Sequence, residues 1–537
     1  MRHKVLSPTR ILGQQAVQVP GVMEFYLAYC KILGRSPIYD SGWRHLSKWL
    51  QEISSVKVDS AVFANQRLLF FSDLPYWVDY NLALAVLAIA HGATVDFAWF
   101  SHPSYASQMP PTIGYPFWKR TQKNAEEATQ HHFLRLLNLE KIPCAKITPR
   151  LTEIAARQAV MDTSYALLKE RVDISLNKTD QREYEFRLNR NSDAISRIAT
   201  LCQENKYDRV IIPNGAILEF GAVYSFIADK GIPISTFEVQ NNGTIIVSHG
   251  ATVMGMDASD LWAKDDPHEL SAERSARIQK FIESRERPAQ KGVSLNSFQL
   301  AGVVSATDIR KQLGLRPEKP VVLLCPNCAF DAAYFVEGTR HFSTMTEWLV
   351  KTVSYLAKRK DCQVVIRSHP AEAYYKAAET TEKLIKEFFG KLPEHIRLVT
   401  PEDPISTYSI MNVADLGLIY WSTTGMEMSM RGIPVICGVP AVHYSGKGFT
   451  LDPKTIDEYF ALIDGVIQKP AVSRLTPRQV ELSWCYADVF FNDWPKPFPW
   501  SVGRQFWADL KKWPFSRMLS AEGEHKFGGT LRALAGK

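Results

Sequence analysis

The sequence predicts an α/β protein of two Rossmann-type domains facing a central cleft, with helical extensions at both ends. Three observations predict it. Short apolar runs alternate with amphipathic stretches along most of the chain. The alternation lapses in a polar, charged stretch at 257–300 and then restarts. At 537 residues the chain also exceeds what one core can hold, since cores stop growing at roughly 250–300 residues. The boundaries predicted are a helical N-terminal extension (1–60), a first α/β domain with a helical insertion (61–300), a second α/β domain (301–480) and a helical C-terminal tail (481–537).

Residues 1–60 read as helical and aromatic, with basic residues interspersed. RLLFFSDLP is the first strand and ends on polar residues at 72–73. VDYNLALAVLAIAHGA follows with helical spacing, and TVDFAWF is the next strand, giving β-loop-α-β. Residues 115–206 are charged and read as mostly helical. YDRVIIPNGA is a buried strand with Asn214 and Gly215 at its tip. A helix over 217–230, a strand PISTFEV ending at Glu238, the short strand TIIVSHG and a helix at 270–285 complete the first half, and the loop at 286–297 is the domain boundary.

The second half repeats the pattern. PVVLLCPN, QVVIRS, IRLVTP, LGLIYW and IPVIC are strands. TEWLVKTVSYLAKR, AYYKAAETTEKLIKEFF, PISTYSIMNVA and GMEMSMR are the helices between them. The tail from 481 is rich in Trp, Phe and Lys and reads as helical.

Composition is that of a globular protein, with 46% hydrophobic and 22% charged residues. The net charge of +7 suits an anionic substrate or membrane surface but is too weak to indicate nucleic acid, for which no motif is present. The eight cysteines are scattered, and the lone C-x-x-C, Cys325 and Cys328, lacks the second pair a zinc site needs. Reduced thiols in a cytoplasmic protein are expected, with no metal and no cofactor. The N-terminus lacks a signal-peptide core, and the apolar run at 80–100 is broken by His91, Gly92 and Asp96, so no membrane span is expected. The tail offers two readings: Phe491, Trp494, Trp500, Trp507, Lys511, Lys512 and Trp513 lie at the inner face of the plasma membrane, or the tail packs back on the first domain.

Three polar clusters follow apolar runs between 363 and 452, and a parallel sheet would gather them at one edge. In QVVIRSHPAE, His369 and Pro370 stand beyond a strand beside Arg367 and Glu372. The imidazole there either holds a phosphate or protonates a leaving group, or is a solvent-exposed turn residue. In LGLIYWSTTGMEMSMRGIPVIC, Ser422, Thr423, Thr424 and Gly425 open a short helix. Their hydroxyls and amides either bind phosphate or merely cap the helix. Glu427 either takes a ribose diol or complements the helix dipole. HYSGKGFTLDP supplies Tyr444 and Lys447 on a donor-rich loop that is not a Walker A motif. In the first half the acids at strand tips, Glu238, Asp73 and Glu219, are the candidates for a catalytic base, each with a capping or salt-bridge role as its alternative. The chain has no Asp-x-Asp, no His-Glu-x-x-His, no Gly-x-Ser-x-Gly and no Gly-x-Gly-x-x-Gly, which removes most of the support for metal-diphosphate, zinc-hydrolase, α/β-hydrolase and nicotinamide chemistry.

The ordered set VIRSHPAE, PEDPISTYSIMNVAD, YWSTTGMEMSMRGIPV and YSGKGFTLDP resembles bacterial capsule polysaccharide biosynthesis proteins, a group that includes Kdo transferases. The match covers about residues 320–465 and extends weakly to VIIPNGAILEFGAV and ISTFEVQNNG. The resemblance implies a GT-B glycosyltransferase with a nucleotide-sugar donor, CMP- or UDP-linked, in the second domain and a glycan or lipid-linked glycan acceptor at the first. It implies that His369 and Ser422–Gly425 contact the donor phosphate, that Glu427 lies near the ribose, that Tyr444 and Lys447 close over the donor sugar, and that Asp331 lines the cleft. The helical N-terminal extension and the 115–206 segment are outside the family pattern. The reaction expected is metal-independent, inverting transfer of the sugar. The alternatives are a nucleotide-sugar epimerase, a polyol-phosphate transferase of the teichoic-acid type, and a non-catalytic capsule assembly or export component.

Overall fold

The computed structural model describes residues 19–537 except 20, 34–39, 57, 59–60, 102–114, 130, 241–242, 266–267, 288–299, 332–340 and 441. Residues 1–18, the stretch expected to be no signal peptide, and most of the expected 286–297 loop lie outside the described residues. The chain forms two compact units, one of residues 1–163, 173–254 and 495–537, the other of 164–172 and 255–494. Its strands, in chain order, are β1 (Arg67–Ser72), β2 (Thr94–Trp99), β3 (Leu134–Asn138), β4 (Arg209–Pro213), β5 (Ile234–Gln240), β6 (Thr244–His249), β7 (Val321–Cys325), β8 (Gln363–Arg367), β9 (Ile396–Val399), β10 (Leu416–Ile419), β11 (Val435–Cys437) and β12 (Lys496–Pro497).

The sheet of the first unit runs β12-β6-β5-β4-β1-β2-β3, with β1 to β5 parallel, β6 antiparallel to β5, and β12 antiparallel to β6. That of the second runs β11-β10-β7-β8-β9, all parallel. Parallel strands are covered on both faces, which is why β1 and β7 are continuous apolar runs. Burial also explains helix Pro75–Ala90, apolar on every side and buried from Trp77 to Ile89. In both units the first strand is central, the next two lie on one side and the following two on the other. Strand order therefore reverses between β1 and β4, and between β7 and β10. Open α/β sheets take ligands at the carboxyl ends beside such a reversal.

Four sequence expectations are corrected. The 115–206 segment is mostly helical as expected but is no insertion, because it supplies β3, the third parallel strand of the first sheet, between helices Tyr115–Ala128 and Pro149–Leu167. Residue 300 does not divide the units: helix Ala272–Glu286 belongs to the second. Its Arg274 and Arg277 reach the fully buried Asp488 (Nε–Oδ2 3.0 Å and Nε–Oδ1 2.7 Å), so charge that resembled a linker is spent on packing. The single helix expected over AYYKAAETTEKLIKEFF is two, Ala371–Tyr375 and Thr381–Phe389. Lys376 takes a left-handed φ of 53° between them, and Thr380 caps the second.

The fourth correction concerns where the tail begins, at residue 495 rather than 481; its packing on the first unit is the second of the two readings above. From residue 495 it belongs to the first unit, where β12 pairs with β6 and Thr530 Oγ1 donates to Pro497 O at 2.7 Å. Trp494, Trp500 and Trp513 are core side chains, Phe491 stacks on Phe281 at 4.1 Å and Trp507 lies against His45 at 5.1 Å. The aromatic set proposed for a lipid interface is thus turned inward, leaving Lys511 and Lys512 exposed. Among the described residues no helix is long and apolar enough to cross a membrane.

Candidate functional site

In the second unit the reversal is bridged by Asn327, just beyond β7. Its amide donates to Trp421 O at 2.5 Å and its oxygen accepts from Trp421 N at 2.9 Å, tying the tip of β7 to that of β10. His369 lies on the neighbouring tip of β8 and is partly buried. Its Nδ1 accepts from Ala371 N at 3.2 Å, with the Cys328 thiol 3.4 Å away. Burial, with the charges of Arg367 and Arg285, pushes the imidazole down to about 4. The ring is therefore neutral at physiological pH, with its proton on Nε2 as a hydrogen-bond donor. Arg367 is itself buried, donating from Nη1 to Thr400 O at 2.5 Å and from Nε to Thr407 Oγ1 at 3.3 Å. It is a positioning residue, whose charge helps keep His369 neutral.

At the tip of β10 the Ser422 and Thr424 hydroxyls are 2.8 Å apart, and Thr424 N donates to Ser422 Oγ at 3.3 Å. Ser422, Thr423 and Thr424 are half-buried, whereas Gly425 is buried. A Cβ at Gly425 would stand 2.1 Å from the Tyr444 hydroxyl oxygen, so the glycine makes room for that ring. Tyr444 is fully buried and donates to Ser422 O at 2.5 Å, bracing the turn from behind. Glu427 is also fully buried: Tyr408 donates to its Oε2 at 2.6 Å and Arg285 Nε lies 3.0 Å from its Oε1. Its carboxylate is spent on an internal ion pair, which departs from the ribose contact implied by resemblance. Lys447 donates to Ser259 Oγ at 2.9 Å. Asp331 follows Cys328 on the loop after β7, and burial raises its carboxyl to about 7.

The thiols of Cys325 and Cys328 are both pushed up by burial, Cys325 to about 12, which makes them poor nucleophiles. All eight cysteines are free thiols. Among the described residues no three His, Cys, Asp or Glu side chains gather as a metal site.

In the first unit, Asp73 follows β1 and Asn214 follows β4, on the two sides of the reversal. Asp73 accepts from Leu74 N at 2.9 Å, and Arg190 Nη2 is 3.4 Å from its other oxygen. Burial first, then the Glu219 charge, lifts the Asp73 carboxyl to about 8. Glu219 is fully buried with Arg190 Nε at 2.5 Å and Arg187 Nη1 at 3.6 Å. Burial pushes its pKa up, but the two arginines outweigh it and hold the group below the ordinary carboxylate range. Leu74 and Leu218, beside these acids, take φ of 63° and 53°, rare for a bulky side chain. Their amides are thereby aimed at Asp73 and at the buried Asp162, with Leu218 N donating to Asp162 Oδ1 at 2.7 Å.

Glu238 differs from both. It is partly exposed on β5, and Asn214 Nδ2 donates to its Oε2 at 2.9 Å. Burial raises it to about 7 against the opposing pull of Asn214. Asn214 also accepts from Ala216 N and Ile217 N, at 3.0 and 3.2 Å, which fixes the amide that orients the acid. Gly215, with φ of 79°, packs so closely that a Cβ would meet Thr236 Cγ2 at 2.6 Å. Sequence reasoning missed Asn327, Arg190, Arg285 and Tyr408. Asn327 alone carried a signal, a polar residue directly after the PVVLLCP run.

No family model and no curated protein matches the chain. Among solved structures it is similar to the beta Kdo 2,7 transferase KpsC of Thermosulfurimonas dismutans, at 14% identity over 54% of this chain and 79% of that one, with a TM-score of 0.29. It is similar to sucrose-phosphate synthase from Thermosynechococcus elongatus at 12% identity, covering 79% of this chain and 94% of that one, with a TM-score of 0.26. It is also similar to UDP-GlcNAc 2-epimerase from Neisseria meningitidis bound to UDP-GlcNAc, at 10% identity over 80% and 98% of the respective chains, with a TM-score of 0.23. The neighbours thus include the Kdo transferases whose group the sequence motifs resemble.

Proposed function

We propose that the protein is a glycosyltransferase that moves a sugar from a nucleotide donor to a glycan acceptor with inversion. The observation that carries this reading is the pair of strand-order reversals, one furnished with anion-binding donors and the other with an acid poised near neutral pH. In this account the second unit holds the donor. His369 Nε2–H, the Ser422–Gly425 turn and Lys447 meet the negative charge of the leaving phosphate, with Asn327 and Tyr444 holding the turn in place. Glu238 takes the acceptor hydroxyl proton, the acceptor oxygen bonds to the anomeric carbon, and the bond to the phosphate oxygen breaks with its electron pair leaving on the nucleotide. Asp73 is protonated below about pH 8 and Glu219 is neutralised by two arginines, so both serve as the buried frame of that half.

The motif resemblance directs the choice of donor to CMP-Kdo first and a UDP-sugar second, and of acceptor to a bacterial surface polysaccharide. Nucleotide-activated sugars are cytoplasmic, and that compartment goes with the reading. A thermal-shift panel of CMP, CDP, UDP and GDP tests the donor half. One nucleotide at 100 times its Kd should stabilise the chain by about 2.7 kcal/mol, a rise of a few degrees in Tm. A flat response to all four would overturn the assignment of the second unit.

A further inference from the structure

The first unit contains a pocket that the proposed chemistry does not use. It has a volume of about 560 Å³ and lies at the carboxyl ends of β2 and β3, the same edge of the sheet as Asp73. Its floor is a buried polar triad. Gln122 Nε2 and Asn138 Nδ2 both donate to Ser101 Oγ, at 3.1 and 2.7 Å. The serine oxygen therefore accepts twice, and no acceptor for its own proton stands among the described residues. Gln122 is 3% exposed, and its Oε1 has no hydrogen-bond partner among the described residues. A buried hydroxyl donor beside a buried amide acceptor matches the two-way hydrogen bonding of a sugar hydroxyl.

The wall has the opposite character. Lys119, Arg120, Lys123 and Lys141 line it against one carboxylate, Glu126. Lys141 pairs with Glu126 at 2.6 Å, Arg120 with Glu24 at 2.6 Å and Lys123 with Glu127 at 3.8 Å. Each pair has at least one exposed partner, and pairs near the surface are worth about 0–1 kcal/mol, so a ligand anion can exchange for them. The pocket also adjoins the acid cluster, because Arg190, which pairs with Asp73 and Glu219, stacks on Phe100 at 4.4 Å, next to Ser101.

We infer that this pocket binds an acidic saccharide, its hydroxyl seated on Ser101 and Gln122 and its carboxylate or phosphate on the lysine wall, and that it thereby selects an anionic acceptor. The assignment to the acceptor rests on the reading of the first unit given above; the binding site does not, since it needs neither donor nor turnover.

Calorimetric titration of the full chain without nucleotide tests it. The probes are a uronic acid oligomer, a neutral glucose oligomer of equal length, a hexose phosphate and a single-stranded oligonucleotide. The uronate or the hexose phosphate should bind at least tenfold more tightly than the neutral oligomer, and whichever binds better names the anion. Added salt should weaken that binding. The triple variant Lys119→Ala/Lys123→Ala/Lys141→Ala, altered only at exposed positions, should keep its Tm and lose at least tenfold in affinity. Equal binding of the neutral oligomer, an unchanged triple variant, or an oligonucleotide bound as tightly as the saccharide would overturn the inference. A flat nucleotide panel together with saccharide binding would instead refute the donor reading and leave this site standing.

Discussion

Glu238→Gln is expected to lower turnover by about 10²- to 10⁴-fold, the usual contribution of a positioned general base. The substitution keeps the shape of the side chain and a partner for Asn214, so it removes the basicity while sparing the fold. The pH profile gives the sharper test. A base works when ionised, and Glu238 is raised to about 7 by burial. Activity should therefore rise with pH through about 7 and level off above it, falling about tenfold per unit on the acid side. In Glu238→Gln that limb should vanish from the residual rate. Asp331 and Glu372 are raised to about 7 as well, by burial, so the position of the limb alone does not identify the base and its loss in the variant does. A limb near 8 that survives the substitution would transfer the role to Asp73.

His369→Ala is expected to cost about 10²-fold or more in kcat, the scale seen when one preorganised donor to a developing anion is removed. The physical reason is the state of the ring. With Nδ1 accepting from Ala371 and a pKa near 4, the imidazole presents a fixed N–H without having to be charged. From pH 5 to 9 it should contribute no limb of its own, and His369→Ala should slow the reaction at every pH while leaving the Glu238 limb in place. His369→Gln, which restores an N–H donor, should recover part of the loss. Arg367→Lys is the companion test of positioning: its effect should follow His369 and disappear in the His369→Ala background.

The strands that lie inside the sheets were legible because parallel strands buried on both faces must be apolar throughout, as in RLLFFS and VVLLC. β3 was not, because its short run LRLLN, with Arg135 exposed, lies inside a charged and largely helical stretch. The break at Lys376 was hidden inside a run of good helix formers, and only the Thr380 cap betrayed it. The polar tips were legible as a class. What they touch was not: Arg190 lies 117 positions from Asp73, and Tyr408 and Arg285 come from separate helices to meet Glu427. A carboxylate that looks available in sequence is thereby shown to be spent, as with Glu427 and Glu219. Glu238 emerges as the accessible one. Of the two readings of the tail, packing on the first domain holds from residue 495, since a Trp-rich segment serves a core as well as a membrane.

The most direct test of the central claim is mass analysis of products from CMP-Kdo, and then UDP-sugars, incubated with and without an acidic oligosaccharide acceptor. Glycosyl transfer predicts that the acceptor gains the mass of one sugar, that free nucleotide appears in equal amount, and that the donor is unchanged when the acceptor is left out. A nucleotide sugar epimerised in the absence of acceptor, or an acceptor that gains phosphorus, would contradict it.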